Sequence, residues 1–254
     1  MSNNLKRPRI LAIHAHPDDI EFQCAGTLAL LAQKGCEITI ATMTAGDCGS
    51  AELGPEEISR IRRREAAASA ELLRASYVCL EFRDLSIEHS NEARRRVTEA
   101  LRRARADIVI TAPFVDYMSD HEMTARLVRD ACFNAPIPNY ATDDEKPASP
   151  LQRIPHLYHV DPIEGADYYG KSVEPEFIVD ISKTFPLKQK MLACHDSQRA
   201  WLQKQHGMDE YLNYCERQSS ARGRQIGVAF GEGFTQYKGH PYPADNLLWE
   251  IVST

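Results

Sequence analysis

Apolar residues in the first half of the chain follow two alternating rhythms. Four short runs, RILAIHA from Arg9, CEITIATMT from Cys36, YVCLEF from Tyr77 and ADIVITA from Ala106, are nearly continuous in apolar and β-branched residues. They are short for core helices, and each predicts a strand buried on both faces. Between them the spacing lengthens to three or four. GTLALLAQKG closes on Gly35, a helix C-cap signal. The stretch PEEISRIRRREAAASAELLRA opens on Pro55 and two glutamates, with Ile58, Ile61, Ala68 and Leu72 on one side, and NEARRRVTEALRRAR follows the third strand. Proline and acidic residues in a first turn suit a helix start.

This order predicts an α/β protein with a mostly parallel sheet covered by helices on both faces, a Rossmann-like three-layer sandwich. We expect a single domain over residues 1–254. Its Rossmann-like half would span about 8–135, a proline-rich and acidic loop or lid about 134–155, and a C-terminal portion the rest. In the latter, HLYHV and FIVDI read as strands, while FPLKQKMLACHDSQ and MDEYLNYCERQSSARGRQIG read as helices. GVAFGEGF lacks the setting of a phosphate-binding loop, and no internal repeat is found. Ligands of parallel sheets bind beyond the carboxyl ends of the strands. The segments at those ends are HPDD (16–19), AGDCGS (45–50) and PFVDYMSDHEMT (113–124).

Composition narrows the partners. Hydrophobic residues make 43% of the chain and charged residues 26%, ordinary for a globular protein. A net charge of −6 provides no basic field for nucleic acid, and the arginine runs at 60–64 and 93–96 fit solvated helix faces. The seven cysteines are odd in number, scattered and without C-x-x-C pairs, which suits reduced thiols and a cytoplasmic location. The opening MSNNLKRPRI lacks an apolar leader, and no window reaches the roughly 18 apolar residues of a membrane span. No membrane partner is expected.

In AIHAHPDDIEF, two histidines and two adjacent aspartates stand where an apolar strand stops. Such a cluster is costly to bury unpaired, and a turn, a helix cap or a metal would each account for it. Asp18 followed by Glu21 is compatible with a capping-box-like pair. His14, inside the strand, reads as structural. Zinc takes imidazole nitrogen and carboxylate oxygen, and a catalytic site needs three protein ligands. His16 and Asp19 supply two, and His121 in DYMSDHEMT supplies a third; Asp18 would then be free to act as a general base.

AHPDD, followed in order by GTLALLAQKG, TAGDCGS, IRRREA, DYMSDHEMT and ACHDSQ, resembles the LmbE-like, or PIG-L, family of zinc-dependent N-acetylglucosamine deacetylases. The resemblance runs from Arg9 to about Phe234. It implies Zn2+ held by His16, Asp19 and His121, with Asp18 as general base. Arg62, in an R-x-x-E pattern with Glu65, would face the site and help hold substrate. The substrate implied is a small N-acetylated sugar or amine, and a homo-oligomer is expected. One departure stands out: the family's D-x-H-P-D-H has Met118 and Ser119 here in place of its first histidine and proline. A thioether donates no proton. His195 and Tyr117 are candidates to compensate, and Met118 and His195 are counted with the substrate-binding positions. Two other readings remain open, a zinc amidase for a non-sugar acyl amide and a metal- or sugar-binding module without turnover.

Overall fold

The computed structural model describes residues 7–199 and 210–254. One sheet of seven strands runs in the order β3-β2-β1-β4-β5-β7-β6. Its strands are β1 (Arg9–His14), β2 (Glu37–Thr44), β3 (Ser76–Phe82), β4 (Ile108–Thr111), β5 (His156–Val160), β6 (Phe177–Asp180) and β7 (Gly231–Gln236). The first five pair in parallel, as their continuous apolar character demands. β7 pairs antiparallel with β5 and β6, and its GEGFTQ segment was not read as a strand from sequence.

Alternation along β1 divides the core into two layers. Ile10 and Ala12 face one cluster, filled by Ile20, Cys24 and Leu28 of α1 (Asp19–Gln33) and Phe185 and Met191 of α5 (Phe185–Leu192). Leu11 and Ile13 face the other, filled by Val97 and Leu101 of α3 (Asn91–Ala104) and Leu127 and Val128 of α4 (Ser119–Asn134). The sandwich is therefore three layers with a mostly parallel sheet. The remaining helices are α2 (Pro55–Glu71), α6 (Glu210–Gln225) and α7 (Leu247–Val252), with a 3-10 turn at Ile163–Gly165. Met208 and Asp209, which open the stretch expected to form α6, lie outside the described residues.

Two boundaries differ from expectation in ways that matter for the site. α1 starts at Asp19, the last residue of HPDD and well before GTLALLAQKG, and α4 starts at Ser119, inside the 113–124 segment, so His121 lies in a helical first turn. Residues 134–155 are strapped to α3. Arg102 donates to the carbonyls of Ala135, Tyr140 and Ile137, while Glu99 accepts from Thr142 Oγ1 and Ala148 N.

A buried ion pair clamps α1 to the C-terminal half. Lys188 Nζ lies 2.7 Å from Glu232 Oε1, and Glu232 also accepts from Gly26 N at 2.9 Å and Thr27 N at 2.7 Å. Thr184 Oγ1 donates to Gly26 O at 2.8 Å beside them. Lys188→Met would leave the Glu232 carboxylate buried without its cation, and breaking such a pair costs about 3–5 kcal/mol. Urea denaturation of wild type and Lys188→Met should show this loss.

Candidate functional site

β1 lies between β2 and β4, where successive connections leave in opposite directions and open a crevice at the strands' carboxyl ends. The segments after β1, β2, β3 and β4 all contribute to one cleft there, of about 360 Å³. Its floor holds His16, Asp18, Asp19, Arg62 and His121, and Met118 and Tyr117 stand on one wall. Phe22, Ile163, Tyr211 and Tyr214 also line the cleft.

Asp19 is the centre of the floor. Its Oδ2 accepts from His16 N at 2.8 Å and lies 2.7 Å from His14 Nδ1 and 3.3 Å from His16 Nδ1. Its Oδ1 lies 3.4 Å from His121 Nε2. The His16 and His121 ring centroids are 5.4 Å apart, and those of His14 and His121 are 4.7 Å apart, edge to face. The three residues read from sequence are thus brought together, and His14 joins them from the last position of β1. Donor atoms of His14, Asp19 and His121 converge within 4.8 Å, as do those of His16, Asp84 and Asp120. Burial works against the Asp19 anion, but His14 and His121 hold its carboxyl well below the usual range. For His121, burial is outweighed by Asp19 and Asp116, which push its pKa up to about 9.

The far nitrogens of two of these rings meet carboxylates. His16 Nε2 lies 3.0 Å from Asp84 Oδ1 and 3.4 Å from Asp120 Oδ2, and His121 Nδ1 lies 3.1 Å from Asp116 Oδ1. Sequence reasoning assigned no role to these three acids. Asp116 and Asp120 lie in the segment that carries His121, two signals within reach; Asp84 follows β3 without a motif around it.

Asp18 has φ 97°, a left-handed conformation that Asp tolerates better than most residues. Its carboxylate makes no cap hydrogen bond to α1, and Glu21 turns away to accept from Ser69 Oγ at 2.6 Å, so the capping-box alternative does not form. Asp18 instead receives the Tyr211 hydroxyl and lies 3.7 Å from Arg62 Nη2. Burial raises its pKa, and Arg62 moderates the rise. Burial and Asp18 itself push Tyr211 well up, keeping the phenol protonated. Nothing local in MDEYLNYCERQ distinguishes Tyr211 from a core aromatic.

Arg62 reaches the cleft, where it donates to Pro17 O at 3.1 Å and Gly46 O at 3.4 Å. Gly46, at φ 70°, makes room for it: a Cβ there would lie 2.3 Å from Arg62 Nη1. Glu65 is not its partner; that carboxylate accepts from Ser197 N and Oγ. Met118 lines the cleft as the residue preceding α4, and Tyr117 packs edge-on against His121 at 5.5 Å. His195 does not line it: it is buried, with Nε2 3.3 Å from Glu21 Oε1.

Comparison with known proteins agrees with this geometry. Residues 11–132 match the family described as PIG-L, GlcNAc-PI de-N-acetylase. The chain is 27% identical to diacetylchitobiose deacetylase of Thermococcus kodakarensis over 77% of its own length and 71% of that protein. It is 21% identical to 4-oxalmesaconate hydratase of Pseudomonas putida, over 93% and 89% of the two chains. The N,N'-diacetylchitobiose deacetylase structure from Pyrococcus horikoshii superposes with a TM-score of 0.76 at 28% identity, covering 97% of this chain and 91% of that one.

Proposed function

From a chain that belongs to the PIG-L family through residues 11–132, we propose a metal-dependent N-deacetylase for an N-acetylated amino sugar or its glycoside. Hydrolysis adds water across the amide carbon–nitrogen bond: hydroxide joins the acyl carbon, a proton joins nitrogen, and acetate and a free amine result. The observation that carries this reading is Asp18, a buried carboxylate released from helix capping and set in the cleft beside the His–Asp–His cluster. The deacetylases to which the chain is similar are named for a sugar amide, diacetylchitobiose, which supports the substrate class.

His16, Asp19 and His121 fit a zinc ion. His121 Nε2 is buried without a hydrogen-bond partner, a cost that coordination would relieve. His16 Nδ1 stands 3.3 Å from Asp19 Oδ2 and His121 Nε2 stands 3.4 Å from Asp19 Oδ1, so two imidazole nitrogens and a carboxylate face one another, the donor types zinc takes. The 2.7 Å approach of His14 Nδ1 is a hydrogen-bond distance, so His14 is assigned to orienting Asp19. Asp84 and Asp120 behind His16, and Asp116 behind His121, occupy the positions of carboxylates that set the ring orientation of a ligand histidine.

When bound, zinc supplies Lewis acidity toward the acyl carbonyl and lowers the pKa of water toward about 7. Asp18 takes the proton of the attacking water and returns it to the departing amine. Tyr211 steadies the Asp18 carboxylate through one oxygen, leaving the other for proton transfer. Arg62 balances the charge of Asp18 from behind. Met118 supplies no donor, so Asp18 carries both proton transfers.

The charge of the cleft weighs against a hydratase with a polycarboxylate substrate. Among the described lining residues, Arg62 is the one arginine or lysine, and its head group is engaged by Pro17 and Gly46. Asp18, Asp19 and Asp84 add negative charge, which suits a neutral amide and a cationic amine product. The seven cysteines are free, which supports work in a reducing compartment such as the cytoplasm. No helix among the described residues is long and apolar enough to cross a membrane.

Three measurements test this reading. Asp18→Asn should retain metal but lose about 10²–10⁴-fold in kcat for acetate release, the usual contribution of a general base; near-normal turnover would remove Asp18 from that role. Metal analysis should give one zinc per chain in wild type, loss of metal in His16→Ala and His121→Ala, and retention with weaker binding in His14→Ala. Loss in His14→Ala with retention in His16→Ala would exchange the two histidines. Tyr211→Phe should lower kcat by about tenfold with little change in KM and full metal content, since the hydroxyl acts through Asp18; an unchanged kcat would make that contact incidental.

A further inference from the structure

The mouth of the cleft carries an apolar surface that hydrolysis of a bare N-acetyl sugar does not require. Leu85 and Tyr117 line the cleft while remaining 64% and 70% exposed, and Met118, which follows Tyr117 in sequence, lines it as well. Leu85 also sits at φ 60°, a left-handed conformation unfavourable for leucine and suited to Gly or Asn. This position thus combines backbone strain with exposure of a large apolar side chain.

The strain is imposed by the catalytic floor. Asp120 Oδ2 accepts from Leu85 N at 2.8 Å, and Asp120 Oδ1 accepts from Ile87 N at 3.4 Å. Asp84, the preceding residue, accepts from Cys48 N through Oδ2 and faces His16 through Oδ1 at 3.0 Å, while its own amide donates to Asp47 Oδ1 at 2.8 Å. Leu85 is therefore held over the opening by the same carboxylates that back His16. Phe22, Ile163 and Tyr214 add apolar lining to the cleft.

We propose that Leu85, Tyr117 and Met118 form a shelf that receives an apolar substituent of the substrate, either an N-acyl chain longer than acetyl or an alkyl aglycone. The proposal rests on the amide hydrolase reading of the same cleft. The shelf is continuous with the floor that binds the reacting amide, so its occupant is part of the molecule being hydrolysed. Met118 extends the apolar wall inward to the place where the family carries a polar histidine, which joins the departure in the motif to the exposed leucine at the rim.

The test uses two substrate series on the zinc-loaded full chain, glucosamine carrying N-acetyl to N-hexanoyl groups and N-acetylglucosamine carrying methyl to hexyl β-glycosides. In one series kcat/KM should rise by about two- to fourfold per methylene, the upper figure corresponding to about 0.8 kcal/mol per buried CH2. The series that rises identifies the substituent. Leu85→Asn, which keeps a residue suited to the left-handed backbone but removes the apolar surface, should flatten that slope. Flat dependence in both wild-type series, or a slope unchanged in Leu85→Asn, overturns the proposal.

If neither series is hydrolysed, the deacetylase reading fails, and calorimetry with N-hexanoylglucosamine and hexyl N-acetylglucosaminide decides the shelf separately. Affinity above that of N-acetylglucosamine and its methyl glycoside, lost in Leu85→Asn, supports it; equal affinity overturns it. A change of oligomeric state in Leu85→Asn with slopes intact would assign the surface to contact between copies of the chain and overturn the substrate role.

Discussion

The carboxylate of Asp19 is the constraint around which the site is organised. A buried anion costs several kcal/mol unless charge and hydrogen bonds compensate it. Here compensation comes from the His16 amide, His14 and His121, contributed by the end of β1, the turn after it and the first turn of α4. The same contacts join the strand, the start of α1 and the far connection of the sheet. Carboxylates behind His16 and His121 extend the arrangement outward, alternating acid and imidazole.

Chemical capacity follows from the one anion left out of that alternation. Asp18 is held toward the cleft by a left-handed backbone and is met by a phenol and a guanidinium at longer range. The turn thus makes two adjacent aspartates different: Asp19 points into the histidines, Asp18 into the cleft. A helix that used Asp18 as its cap would forfeit this division, and α1 begins without a side-chain cap. Its attachment to the rest of the protein relies on packing and on the Glu232 clamp.

Much was written locally. Continuous apolar runs determined four parallel strands, because burial on both faces leaves no polar alternation. That the HPDD turn and His121 meet was readable, because strand ends of a parallel sheet share one rim. Pro55 and the acidic turn after it determined where α2 begins.

Tertiary structure decided what depends on contacts between distant segments. Tyr211 meets Asp18 across 193 positions of sequence, a pairing that no local pattern encodes. His195, equally suggestive in sequence, packs on Glu21 because α5 lies behind α1 and not at the cleft. His14 looked like a strand residue and is one, yet the turn folds Asp19 back onto its ring. β7 escaped notice because its glycines carry no apolar rhythm; it forms because strands on both sides offer partners. Sequence by itself determined which polar residues the turn gathers at the strand end and that the strands beside it are buried on both faces, since both follow from short-range geometry. Only the fold decided how each aspartate is partnered and what stands opposite it in the cleft, since those outcomes depend on elements far apart along the chain.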